Sequence, residues 1–172
     1  MLIILGYMGC GKSVVGQRVS ELLGYRFIDL DHLIEREESM TINQIFREKG
    51  SIYFRKKENE YFKRIINSKK KVVLSLGGGT PCYYDHMEII NSIKTIKSFY
   101  LNAGIVKLSN RLWDEKDSRP LVADLKSKEE LLEFIGKHLF ERRVFYLKAQ
   151  YKIEVDDKSV DQIAQEVTSY LF

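Results

Sequence analysis

The sequence predicts an α/β fold, a parallel sheet wrapped by helices on both faces. Three observations carry that prediction. Apolar runs of strand length alternate with helix-patterned segments along all 172 residues, as in parallel strands joined by right-handed helical crossovers. Two runs, Leu2–Leu5 and Val72–Leu76, are apolar almost throughout, as strands covered on both faces are. Each leads straight into a glycine-rich loop, at the strand end where open α/β sheets gather ligands.

The bulk numbers bound the answer. One domain, residues 1–172, is expected. Hydrophobic content of 44% and charged content of 30% are ordinary for a soluble globular chain. A net charge of +4 is too mild to argue for nucleic acid. The basic run Lys69-Lys70-Lys71 reads as a solvated turn. Two cysteines, Cys10 and Cys82, make neither a disulfide framework nor a zinc site. No leader pattern and no apolar run of membrane-spanning length is present. A cytoplasmic protein without membrane or nucleic-acid partners is the expectation.

In chain order, Leu2–Leu5 is the first strand. Gly6-Tyr7-Met8-Gly9-Cys10-Gly11-Lys12-Ser13 follows and matches G-x-x-x-x-G-K-[ST], the P-loop, in the strand–loop–helix context it needs. The segment from Gly9 and Cys10 through Gly11 to Val14 would cradle phosphate with backbone N–H groups and a helix N-terminus. Lys12 would reach the terminal phosphates and Ser13 would bind magnesium. Val15, Val19, Leu22 and Leu23 mark the inward face of the first helix, which Gly24 closes.

Tyr25–Ile28 reads as a second strand ending in Asp29-Leu30-Asp31. Two aspartates two apart on extended chain point the same way. Either could face magnesium or a substrate hydroxyl, or cap the helix expected over His32–Glu38. A helical insert follows. Thr41–Gln44 has the capping-box pattern, and Gly50 ends that helix. From Ser51 the next helix carries Phe54, Tyr61, Phe62, Ile65 and Ile66 as its stripe. Arg55 and Glu58 share a face of it, and a surface ion pair is the plain reading of those two.

Val72–Leu76 runs into Gly77-Gly78-Gly79. Three glycines cost backbone entropy, so something must approach this loop closely. Thr95–Leu101 is a fourth strand, with a helix after it to about Trp113. The polar stretch Asp114–Leu121 carries Arg119 ahead of Pro120, which disfavours helix at Arg119. Ser127–Glu130 forms a second capping box and opens a long helix with Leu131, Ile135, Leu139 and Tyr146 inward. Arg142 falls within that stripe and Arg143 a third of a turn away. A cation there must meet a buried carboxylate or line an anion-binding cleft. Tyr151, Ile153 and Val155 alternate as an edge strand. Ser159 caps a last helix with Val160, Ile163, Val167 and Leu171 inward.

Taken in order, these residues resemble the shikimate kinase family over essentially the whole chain. The matching set is Gly6–Ser13, Asp29 with Asp31, Phe54-Arg55 with Glu58, Gly77–Gly79, Arg119-Pro120-Leu121, and Arg142 with Tyr146. The resemblance implies a three-layer P-loop kinase fold. Its five-stranded parallel sheet has order 2-3-1-4-5, with a helical substrate-binding insert at about 31–62 and a lid at about 114–124. It implies ATP-dependent phosphorylation of shikimate to shikimate 3-phosphate by a monomer using one Mg2+ ion. By position, Asp31, Arg55, Gly77, Gly78, Gly79 and Arg142 would bind shikimate, the two arginines holding its carboxylate as bidentate guanidinium groups do. Asp31 would accept from ring hydroxyls and orient the attacking one. Asp29 would support magnesium beside Ser13. Lys12 and Arg119 would neutralise the transferring phosphoryl group, and Arg111 would stack on adenine. Where the family has R-x-P-L-Y, this chain reads Arg142-Arg143-Val144-Phe145-Tyr146, without the proline.

Two other readings compete. A gluconate or nucleoside-monophosphate kinase also pairs a P-loop with a lid, but the triple glycine with Arg55 in a short helical insert suits a compact ring acid. A non-catalytic nucleotide-binding regulator need not keep Lys12, Ser13, Asp29, Asp31 and Arg119 together.

Overall fold

The computed structural model describes residues 1–68, 70–116 and 121–171. Strands β1 (Leu2–Leu5), β2 (Arg26–Asp29), β3 (Val72–Ser75), β4 (Lys97–Asn102) and β5 (Tyr151–Glu154) form one sheet of order β2-β3-β1-β4-β5. Every pairing in it is parallel. The central strands β1 and β3 are buried at every position, which is why they carry no alternation. Edge strand β5 does alternate: Ile153 is buried between exposed Lys152 and Glu154.

The helices are α1 (Lys12–Leu23), α2 (Leu30–Glu38), α3 (Ile42–Glu48), α4 (Gly50–Ile66), α5 (His86–Ser92), α6 (Ile105–Asp114), α7 (Lys128–Tyr146) and α8 (Val160–Ser169). Right-handed crossovers set α1 on one face of the sheet and α5, α6 and α7 on the other. α8 packs on α1, α6 on α7, and α2 and α3 on α4. The core runs through β1, β3 and β4 to Phe62, Met87, Leu108, Ile135 and Val167.

Local chemistry sets the boundaries. Gly24 stops α1 in the left-handed conformation at φ 63°, as a C-terminal glycine does. Asp29 caps α2, its carboxylate accepting from the N–H groups of Asp31 at 3.1 Å and His32 at 3.4 Å. Thr41 and Ser159 close full capping boxes with Gln44 and Gln162, each cap worth about 1 kcal/mol. The box expected at Ser127 closes on one side only. Its hydroxyl accepts from Glu130 N–H at 3.1 Å, while the Glu130 carboxylate takes the N–H of Lys126 at 2.8 Å.

Several expectations shift. α2 begins at Leu30 rather than His32, because the Asp29 side chain supplies the cap. Gly50 opens α4 at φ 82° instead of ending α3. The short helix α5 had no sequence prediction. Leu22 and Val160 point outward, at 44% and 39% exposure; both stand in a terminal turn of their helix, where correct phase has no layer to bury against. Among the described residues, no helix is long and apolar enough to cross a membrane.

Candidate active site

β1 and β3 are neighbours whose chains leave toward opposite edges of the sheet, and the crevice above such a switch point is where ligands lodge. A cleft of about 790 Å³ opens there. Gly9, Cys10, Gly11, Lys12, Ser13 and Val14 line one wall, and Asp29, Asp31, Gly78 and Arg111 also face it. Val155, Lys158 and Ile163 line its far end.

The glycine loop takes its shape from backbone that other residues resist. Gly6 has φ 146°, and a Cβ there would stand 2.7 Å from the carbonyl oxygen of Leu101. Gly11 at φ 98° is the cap position of α1 and offers no side-chain acceptor. The first N–H groups of α1 therefore face the cleft, with the positive end of the helix dipole. Lys12 Nζ donates to the carbonyl oxygen of Tyr7 at 2.9 Å, curling the lysine back over the loop. Arg111 Nη1 donates to the carbonyl oxygen of Gly9 at 3.0 Å, which fixes α6 to the same loop.

Ser13 Oγ donates to Asp29 Oδ2 at 2.6 Å. A hydroxyl and a carboxylate from two elements thus meet beside the phosphate cradle. Oxygen donors of this kind fit Mg2+, and Asp29 keeps Oδ2 for that side while Oδ1 caps α2.

The second wall is built on α4 and the glycines after β3. Glu58, wholly buried, accepts from Arg55 Nη1 at 2.6 Å through Oε2 and from Thr80 Oγ1 at 2.6 Å through Oε1. The expected Arg55–Glu58 pair therefore forms, but inside the protein: the side chains are 16% and 1% exposed. The Arg55 guanidinium also lies 4.1 Å from the Tyr83 ring centre and 4.9 Å from that of Phe54. The glycines explain themselves by close approach. A Cβ on Gly79 would lie 2.6 Å from Arg55 Nη2, and one on Gly77 would lie 2.6 Å from Asp31 Oδ1. Gly78 packs on the P-loop, its position for a Cβ standing 3.3 Å from the Met8 nitrogen.

Asp31 sits between the two walls. Burial pushes its carboxyl up to about 7, and the charges of Glu58 and Asp29 add to the rise against the pull of Lys12 and Arg55. A carboxyl titrating near neutrality in a cleft is suited to accept a proton.

α7 closes the site from the far side. Tyr146 is fully buried, its hydroxyl donating to the carbonyl oxygen of Gly78 at 2.6 Å and accepting from Arg142. Arg142 is half-buried and Arg143 exposed. Arg142 and Arg55 both lower the Cys82 thiol, which burial nevertheless holds at about 11. Both cations therefore act on Cys82, beside the cleft rather than in its lining. Arg143 instead bears on Glu154 and Tyr100. Of the predicted site residues, Arg119 lies outside the described residues, and so does Lys69 of the basic turn.

The structure adds participants that sequence reasoning missed: Glu58 as a buried brace, Thr80 as its second ligand, Tyr146 as the tie to Gly78, and the pair Tyr7–His138. An i,i+3 spacing announced the first as a neighbour of Arg55, but nothing local announced its burial.

The family model described as shikimate kinase matches residues 8–172. A shikimate kinase of Flavobacterium psychrophilum is 44% identical over 99% of this chain and 98% of its own length. Among solved structures, a shikimate kinase from Bacteroides thetaiotaomicron superposes with a TM-score of 0.88 at 34% identity, over 99% of this chain and 97% of that one. One from Acinetobacter baumannii in complex with shikimate superposes with a TM-score of 0.86 at 30% identity, over 99% of this chain and 91% of that one.

Proposed function

The chain belongs to the shikimate kinase family, and on that premise we propose that it transfers the γ-phosphoryl group of ATP to shikimate, giving shikimate 3-phosphate. The observation that carries this reading is one shared cleft. It holds a phosphate-binding loop on one wall and, on the other, Asp31 with Gly78 next to an arginine fixed by a buried glutamate.

ATP phosphates lie against the N–H groups from Gly9 to Val14, with Lys12 on the terminal oxygens, where negative charge builds during transfer. The base extends toward Arg111, Val155 and Lys158. Ser13 and Asp29 would hold one Mg2+ ion, which would supply positive charge against the transferring phosphates. Arg55 and Arg142 take the shikimate carboxylate. Glu58 keeps the Arg55 guanidinium planar to it and limits its motion. Asp31 accepts from the ring hydroxyls, orients the attacking one and takes its proton. Alignment of this kind supplies much of the acceleration in phosphoryl transfer, because the transition state is loose.

The enzyme works as one unit, with residues of about 31–62 forming the acid-binding insert and about 114–124 a lid that brings in Arg119 and excludes water. We expect a monomer, as the family resemblance implies. Two free thiols, Cys10 and Cys82, suit the reducing cytoplasm. The test is ADP release with shikimate, gluconate and nucleoside monophosphates as acceptors. Shikimate alone should support turnover; equal or faster turnover with another acceptor would overturn the assignment.

A further inference from the structure

Tyr7 and His138 are 131 positions apart and meet beneath the phosphate loop. Tyr7 is 1% exposed. Its hydroxyl lies 2.9 Å from His138 Nδ1. The two rings meet edge to face, centres 5.6 Å apart, and Phe134 packs on His138 from its own helix at 5.1 Å. The backbone of the same Tyr7 carries the carbonyl that receives Lys12 Nζ. Its neighbour Met8 presents the nitrogen against which Gly78 packs. One residue therefore touches the phosphate-binding lysine with its main chain and α7 with its side chain. α7 also carries Arg142 and Tyr146, the latter holding Gly78.

From this arrangement we infer that His138 is a positioning residue for phosphoryl transfer: by holding the Tyr7 hydroxyl it sets the loop carbonyl that aims Lys12, and it locks that loop to the helix bearing the acid's second arginine. This rests on the reading of Lys12 and Arg142 given above.

The chemistry of the pair favours one arrangement. Burial, and then the charge of Arg142, lower His138 to about 4, so its ring is neutral at physiological pH. A phenol proton must point somewhere, and a neutral ring offers one acceptor nitrogen. Nδ1 accepts from Tyr7 and Nε2 carries the proton. Burial, despite the opposing charge of Arg142, raises the Tyr7 hydroxyl well above its usual range, so it stays a donor. The neutral ring also leaves the Arg142 charge uncancelled and unrepelled. An apolar side chain at 138 would fill the space yet strand the hydroxyl in a buried place, where an unmet donor is costly. The loop would then shift to reach water.

The experiment compares His138→Leu, His138→Asn and Tyr7→Phe in the full-length enzyme. Asn places an amide acceptor where Nδ1 stands. His138→Leu should lower kcat about fivefold or more, the scale of one neutral hydrogen bond, with KM for shikimate changed less than about twofold because Arg55 and Arg142 remain in place. His138→Asn should restore most of kcat. Tyr7→Phe should lower kcat similarly, and adding His138→Leu to it should cost little more, as for partners in one contact. Wild-type kcat in both Tyr7→Phe and His138→Leu would overturn the proposal. So would a His138→Asn enzyme as slow as His138→Leu at equal thermal stability, since that is the result of a purely packing role. If His138→Leu does not fold, Tyr7→Phe decides, by lowering kcat or leaving it at the wild-type value. An inactive wild type would instead refute the kinase reading on which this one stands.

Discussion

Glu58 holds Arg55 at 2.6 Å from a position with no solvent exposure. An isolated charge there would cost several kcal/mol, so the pair is formed as a unit with Thr80. Removing one side leaves the other buried and unmet. Glu58→Ala should therefore destabilise the fold by about 3–5 kcal/mol, read by denaturant titration. Glu58→Gln keeps the shape and the Thr80 contact, should cost less, and should weaken shikimate binding by loosening Arg55. Equal stability of Glu58→Ala and wild type would show that the contact carries no load.

Asp31 gives a pH dependence with a definite sign. Its folded carboxyl titrates near 7, above the unfolded value of 3.8. Between those values the folded protein holds the proton and the unfolded chain has lost it, so this group's contribution to stability is present below about 3.8 and lost as pH rises through about 7. Ligand binding runs the other way, because only the ionised form accepts hydroxyl hydrogens from shikimate on both oxygens. Shikimate affinity measured without nucleotide should weaken as pH falls below about 7, approaching tenfold per unit. Asp31→Asn should flatten both curves. An unchanged affinity profile in Asp31→Asn would assign the titration to another group.

Arg142 and Arg143 are adjacent but face different surroundings. Arg142→Ala should weaken shikimate binding by about 2–5 kcal/mol, the loss expected when one partner of a desolvated charge pair is removed. Arg143→Ala should change it little, since that exposed guanidinium bears on Glu154. Calorimetric titration of the two variants reads the difference; a larger loss at Arg143 would reverse the assignment.

Asp29 caps α2 and, in the proposed reading, supports Mg2+, and a single substitution separates the two. Asparagine caps helices as well as aspartate, so Asp29→Asn should leave the melting temperature close to wild type. It removes the charge beside Ser13, and the Mg2+ concentration for half-maximal rate should rise about 10- to 100-fold, the usual cost of a lost supporting ligand. A magnesium curve that does not move would take Asp29 out of the metal's surroundings.

How far the chain can be read without its fold follows from the range of each signal. The P-loop, the caps at Thr41 and Ser159, and the buried central strands are written in neighbouring residues, and the structure has them where the sequence puts them; of the two aspartates that pattern left open as a cap, the fold uses Asp29. The sheet order was not derivable from pattern alone; it came with the family resemblance and stands as expected. What stayed hidden depends on distance along the chain. Glu58 is invisible as a buried brace because its cover comes from Thr80 and the glycine loop. Tyr7 and His138 carry no mutual signal across 131 positions. The α5 helix is only seven residues, too few for periodicity to declare itself.

The sheet order has a consequence for how this protein is made. β1 leaves the ribosome before the other strands of the sheet, yet it is the middle strand: Leu2 lies beside Val73 on one flank and Lys97 on the other. Its two neighbours belong to segments synthesised long after it, and loop closure over such spans is slow. A nascent chain that ends before β4 has a phosphate loop hanging from a strand with one open edge. That loop leans on Leu101, whose carbonyl oxygen crowds Gly6. The phosphate loop, though it follows the earliest strand of the sheet, is thus among the last parts of the site to take shape, and a stalled or clipped chain missing β4 is exposed to aggregation before it can hold a nucleotide.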